Sequence, residues 1–149
     1  MAEDTASLRK SLDIYRGLVE VSGLINSITE YEDLLRAILD VARRVMFAEA
    51  ASLFLRDPEN SHLNLAMASY SDGEFVQPEI RVEPGQGIAG WVLQHGESQL
   101  VPDAYADSRF FRAADKATGF HTRSILCAPL RHEGALIGVI QVLNPRGKA

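Results

Sequence analysis

The sequence predicts an α+β domain with an antiparallel sheet. N-terminal helices cover one face, and an irregular middle segment covers the other, where a cavity can form. Two observations carry this. Apolar residues recur at helical spacing up to about Phe47 and alternate with polar ones from Ala50 onward. The strand-like runs then come in pairs, without the regular strand–helix–strand order of a parallel sheet. A length of 149 residues suits one domain that buries a core without covalent staples.

Taken in order, Leu8, Leu12, Tyr15 and Val19 repeat at 4-3-4 spacing, beside a second stripe of Ile14, Leu18, Val21, Ile25 and Ile28. One stripe suffices to pack a helix on its own domain. Two adjacent stripes fit a homodimer through the N-terminal helix, as in a helical bundle or short coiled coil. A single broad stripe buried within the monomer is the other reading. Thr29 and Glu32 form a T-x-x-E capping box, which predicts a helix break near Thr29 and divides the chain into a helix over 1–29 and a domain over 30–149. The next helix shows Leu34, Leu35, Ile38, Leu39, Ala42, Val45 and Met46 on its apolar face.

Ala50–Arg56 and Leu63–Tyr70 alternate as two strands joined by Asp57, Pro58, Glu59 and Asn60, and Ile80–Val82 is another short strand. Pro84-Gly85-Gln86-Gly87 is a loop leading into a helix over Ile88–His95 that Gly96 stops. Gln99–Val101 is extended, and Ser108–Ala117 reads as a helix ended by Gly119. Arg123–Arg131 and Ala135–Leu143 form a hairpin with His132, Glu133 and Gly134 in its turn.

Composition narrows the function classes. Fifteen Lys and Arg against twenty Asp and Glu give a net charge of -5, with no basic surplus for a nucleic-acid backbone. One cysteine excludes a disulfide framework and a multi-thiol metal site. No apolar run approaches the roughly 20 residues of a membrane span, so direct membrane insertion is not expected. The first residues lack the apolar region of a secretion signal. These features predict a cytoplasmic protein.

Gly85, Gly87 and Gly90 spell G-x-G-x-x-G, but Arg81-Val82-Glu83-Pro84 precedes them where a dinucleotide fold needs a buried parallel strand. The loop still leaves free amides at Ile88 and Ala89 on the positive end of a helix, which suits an anion or is a plain loop-to-helix junction. His62, His95, His121 and His132 lack ligand spacing, so no metal site is expected. Cys127 in Ile125-Leu126-Cys127-Ala128 reads as a small buried hydrophobe. No nucleophile can be paired with a base, so no catalytic residues are assigned. Gln141 ends the apolar stripe Ile137, Val139, and Ser52 sits between Ala50 and Phe54. Such polar groups fit either a pocket floor or a wet sheet edge.

Four stretches carry a resemblance. They are Gly85-Gln86-Gly87-Ile88-Ala89-Gly90-Trp91-Val92, Val101-Pro102-Asp103-Ala104-Tyr105, Asp115-x-x-Thr118-Gly119-x-x-Thr122-Arg123-Ser124-Ile125-Leu126-Cys127-x-Pro129-Leu130, and Ile137-Gly138-Val139-Ile140-Gln141-Val142-Leu143-Asn144. Together they resemble a GAF domain over roughly residues 30 to 144, with the first helix as the connecting element. The middle is most similar to the branch in cyclic-nucleotide phosphodiesterases and bacterial cyclases. The resemblance implies a central sheet of about six strands and a regulatory pocket for cAMP or cGMP. It also implies that Ile88 and Ala89 hold the cyclic phosphate through backbone amides and that Phe111 lies near phosphate and ribose. Asp115, Thr118 and Thr122 match the family's acid and threonines, Ser52 and Gln141 match floor positions that read the purine, and Ser69 stands where some members carry a base-binding Asp.

Departures from the pattern bear on the ligand. Phe111 lacks a Tyr hydroxyl, and Ser69 and Gln141 replace acids found in some cGMP-binding members, where a carboxylate would accept from guanine N1–H and N2–H. An amide and a hydroxyl both donate and accept, so adenine fits at least as well. Pro145 stands where the family has Lys. The expectation is a cAMP-favouring sensor, part of a larger signalling protein, that controls an output domain through a helical dimer. The rivals are a ligand-free dimerisation module and a sensor for another metabolite. Methionine sulfoxide reduction, known among GAF-like proteins, is disfavoured because it needs a second thiol.

Overall fold

A computed structural model of the chain describes residues 2–77 and 79–146. The side chains of residues 2–4, 21, 22, 24–26, 28, 114, 117 and 118 lie outside the described set. The chain divides into two units, Met1–Leu34 and Leu35–Ala149.

The first unit is helical. The helix α1 runs Ala2–Val45, so the expected break near Thr29 is absent. A capping box needs an extended residue at the helix start, and nothing forces one here: no Gly or Pro occurs between Gly23 and Val45. Leu8, Leu12, Tyr15 and Val19 are all more than half exposed, as are Ile14 and Leu18 of the neighbouring stripe. The side chains of Val21, Ile25 and Ile28 lie outside the described residues.

The second unit holds a seven-stranded antiparallel sheet: β1 Ala50–Arg56, β2 Leu63–Tyr70, β3 Phe75–Val76, β4 Arg81–Val82, β5 Gln99–Val101, β6 Ile125–His132 and β7 Ala135–Leu143. The spatial order is β3-β2-β1-β7-β6-β5, with β4 also paired to β2. The helix α2 spans Gly87–His95 and α3 spans Ala113–Thr118, with a single 3₁₀ turn at Ala104–Ala106. Against one sheet face, Leu35 and Leu39 of α1 pack on Ala51, Leu53 and Met67. Against the other, Ile88, Ala89 and Val92 of α2 pack on Phe54, Ile125, Cys127 and Val139.

Three local departures from the sequence reading have identifiable causes. The helix expected over Ser108–Ala117 shrinks to Ala113–Thr118, because the Asp107 carboxylate accepts the Arg109 amide at 2.9 Å and closes a turn instead. The strand expected from Arg123 starts at Ile125, since the amides of Arg123 and Ser124 donate to Asn144 Oδ1. In β2 the pairing with β1 steps from Leu53–Met67 to Phe54–Leu65, which leaves Ala66 as a bulge. That extra residue inverts the faces: Leu63 belongs to the α2 side, whereas Met67 belongs to the α1 side.

Candidate functional site

A cavity of about 80 Å3 lies between the sheet and α2, covered by the segment from Phe110 to Thr122. Its floor is set by register. Ser52 on β1 pairs with Gln141 on β7 and with Ala68 on β2, and all three side chains line the cavity. Phe54, Ile125 and Leu143 supply apolar floor around them. Gln141 therefore faces the cavity, the pocket alternative of its sequence reading.

The wall is the N-terminus of α2. Ile88 and Ala89 are buried and line the cavity. The first intrahelical bond is made by the Gly90 amide to Gln86 O, so the amides of Gly87, Ile88 and Ala89 precede the helical ladder. The N-cap residue, Gln86, makes no side-chain cap bond, because its Oε1 accepts from the Glu83 amide instead. The glycines have local reasons unrelated to a dinucleotide. Gly87 has φ +66, and a Cβ on Gly90 would meet Glu83 O at 2.5 Å.

The cover carries Phe110, Phe111 and Phe120, which line the cavity with Asp115 and Thr122. The Asp115 carboxylate is bonded within the cover itself. It accepts the Thr122 amide at 2.8 Å, the Thr122 hydroxyl at 2.6 Å and the Tyr105 hydroxyl at 2.8 Å. This bond to the carboxylate raises the Tyr105 pKa. Asp115 and Thr122 are both buried, and the pair pins the cover. Thr118 lies in α3, and its side chain is outside the described residues.

Ser69 does not reach the cavity. It pairs with Ala51 on the face turned to α1, and its fully buried Oγ has no partner among the described residues. The bulge at Ala66 is the cause: simple alternation from Leu63 and Leu65 would put Ser69 on the cavity side. Ser52, Ile88, Ala89, Phe111, Asp115, Thr122 and Gln141 are thus brought together and Ser69 is excluded.

Two groups were given no role by the sequence reading. Tyr105 is the third donor to Asp115. Asn144, 2% exposed, and Glu49 form a polar knot at the ends of β7 and β1. The amide of Asn144, then the guanidinium of Arg123, hold the Glu49 carboxyl down at about 2. A buried Asn closing an apolar strand was the available signal. Cys127 is fully buried, and burial pushes its thiol up to about 12, so it stays a protonated core residue. Among the described residues, no three His, Cys, Asp or Glu side chains gather as a metal-binding set.

The family model of the GAF domain matches residues 30–148. The chain belongs to the GAF domain family. It is 31% identical over 147 residues to a probable 3',5'-cyclic phosphodiesterase pde-5 of Caenorhabditis elegans, covering 93% of this chain and 20% of that protein. It is 39% identical over 105 residues to a dual 3',5'-cyclic-AMP and -GMP phosphodiesterase 11A of Takifugu rubripes, covering 65% of this chain and 12% of that one. The chain therefore spans about a fifth or less of these relatives.

Among solved structures, the GAF domain of nlh2 from A. aeolicus in an inactive state superposes with a TM-score of 0.65 at 21% identity, over 79% of this chain and 70% of that one. The GAF domain of a phosphoenolpyruvate-protein phosphotransferase from Coxiella burnetii gives the same score and identity, over 76% and 67%. At that identity the likeness concerns the fold. This GAF domain is a regulatory fold of the kind found in cyclic-nucleotide phosphodiesterases, and no described helix is long and apolar enough to cross a membrane.

Proposed function

We propose that this GAF domain is a sensor for a cyclic nucleotide, cAMP in preference to cGMP, and that it controls an attached output domain in the cytoplasm. The observation that carries the reading is the meeting of two features in one cavity: the uncapped α2 amides at Gly87–Ala89 and the Ser52–Gln141 floor. A cyclic phosphate carries one negative charge, which suits amides at the positive end of a helix. A purine then lies on Phe54 and Leu143 beneath Phe111. The Gln141 amide offers one donor and one acceptor, matching adenine N1 and N6, whereas the two adjacent N–H donors of guanine call for a carboxylate. The relatives' names, those of enzymes acting on 3',5'-cyclic nucleotides, support the ligand class.

The cavity of about 80 Å3 is below the roughly 300 Å3 of a small-molecule pocket, so binding requires the cover to move. Asp115 acts on this reading as the latch of the cover, through Thr122 and Tyr105, and Thr118 lies on the same helix, α3. Closure over ligand would alter a homodimer formed along the apolar side chains of α1. Control of the output requires that the ligand bind one dimer geometry better than the other.

The small cavity also favours a second reading, a ligand-free dimerisation module. Thermal unfolding of wild type and Gln141→Ala with cAMP separates the two. Ligand at about 100 times its dissociation constant should raise the wild-type midpoint by roughly 5 to 10 °C. The variant should need at least about tenfold more cAMP for the same shift, an amide pair contributing over 1 kcal/mol. An equal, flat response of both proteins contradicts the sensor reading and supports the module.

A further inference from the structure

The cover is tied on its outer side as well as its inner one. Asn144 has all four of its side-chain hydrogen-bonding positions in use. Its Oδ1 accepts from the Arg123 amide at 2.6 Å and the Ser124 amide at 3.1 Å. Its Nδ2 donates to Glu49 Oε2 at 2.6 Å and to His121 O at 3.0 Å. Its backbone holds φ 54, a left-handed value that Asn tolerates better than most residues. Glu49 in turn accepts from Arg123 at 2.5 Å and Arg146 at 3.1 Å.

The same small region is where the chain enters and leaves the sheet. Glu49 lies between α1 and β1, and its amide donates to Leu143 O. Arg146 follows β7, and its amide donates to Met46 O just past the end of α1. Residues 121–124 therefore bond inward to Asp115 through Thr122 and outward to Asn144 through His121, Arg123 and Ser124. Four residues span at most about 14 Å, too short a tether for the two sets to move independently. A shift of the cover must either carry Asn144 with it or break bonds of a buried amide.

We propose that Asn144 and Glu49 are positioning residues for the ligand cavity, fastening its cover to the α1–β1 junction and to the exit of β7, so that opening the cover loosens both. This deepens the sensor reading by giving the cavity a route to the chain's connections that does not depend on the first turns of α1.

Native-state hydrogen exchange on this chain tests the coupling without ligand. Thr122→Val removes only the inner hydroxyl bond, and Glu49→Gln weakens only the outer knot. Thr122→Val should speed exchange at the Asn144 and Arg146 amides by at least about tenfold, and Glu49→Gln should do the same at the Thr122 amide. The amides of Leu53 and Val139 in the central strands should keep their wild-type rates. Faster exchange confined to the mutated side in both variants overturns the proposal. With cAMP added at saturation, the Arg146 amide should slow in wild type and not in Glu49→Gln; binding without that slowing also overturns it. If cAMP and cGMP fail to bind at all, the sensor reading falls, and the two ligand-free measurements still decide this one.

Discussion

Glu49 shows how one side chain's environment becomes a property of the whole fold. Donation from Asn144 and Arg123 takes its carboxyl from 4.5 to about 2. A depressed acid contributes stability that is present above its unfolded value and is lost as pH falls through the folded one. The contribution should thus be whole above pH 4.5 and vanish toward pH 2. Urea unfolding between pH 6 and 2.5 should find wild type losing about 1–2 kcal/mol more than Glu49→Gln, after allowance for solvent screening at a partly exposed site. Equal losses would mean that the knot carries no charge-dependent stability. Asp57 and Asp107 are shifted in the same direction, so comparison with the variant, rather than the raw curve, isolates Glu49. At this scale the sequence was readable where alternation was uninterrupted, as at Ser52 and Gln141. It misled at Ser69, because a single inserted residue, Ala66, inverts the faces and leaves no mark in composition. Asp115 was picked out by the resemblance and lines the cavity, but its bonding to Thr122 and Tyr105 depends on chain segments that meet only on folding.

Among the elements, α2 and the β6–β7 hairpin follow their local chemistry. Gly96 closes α2 with φ 69, and Glu133 and Gly134 take the positive φ values of a two-residue hairpin turn. The capping box at Thr29 failed because a cap motif states where a helix is able to start, not that the preceding one must stop. The two-residue strand β3 was missed, being too short for any periodicity to register. The exposed apolar residues of α1 make an element-scale prediction. Leu12→Glu with Val19→Glu places charges in a seam read as a dimer contact, and should turn a homodimer into a monomer in sedimentation equilibrium. A monomeric wild type at about 100 μM, well above typical coiled-coil dissociation constants, would remove α1 as the dimer element.

For the whole molecule, the α+β class and the antiparallel sheet followed from the switch of period near Phe47 and from paired strands with turn residues between them. Placement of the cavity on the α2 side followed from the irregular middle of the chain. Its size did not, because volume depends on how Phe110, Phe111 and Phe120 pack, which no spacing encodes. The two faces of the sheet do different work: one packs against Leu35 and Leu39, and the other combines apolar floor with Ser52, Gln141 and a helix end. That asymmetry is the basis for the central claim that the second face takes a cyclic nucleotide. Calorimetric titration of the chain, refolded from denaturant to strip any carried ligand, with cAMP, cGMP and 5'-AMP tests it most directly. The expected result is one site per chain that binds cAMP more tightly than cGMP and 5'-AMP. Absence of heat with all three at about millimolar concentration, where even a weak site of roughly -4 kcal/mol would respond, would contradict it.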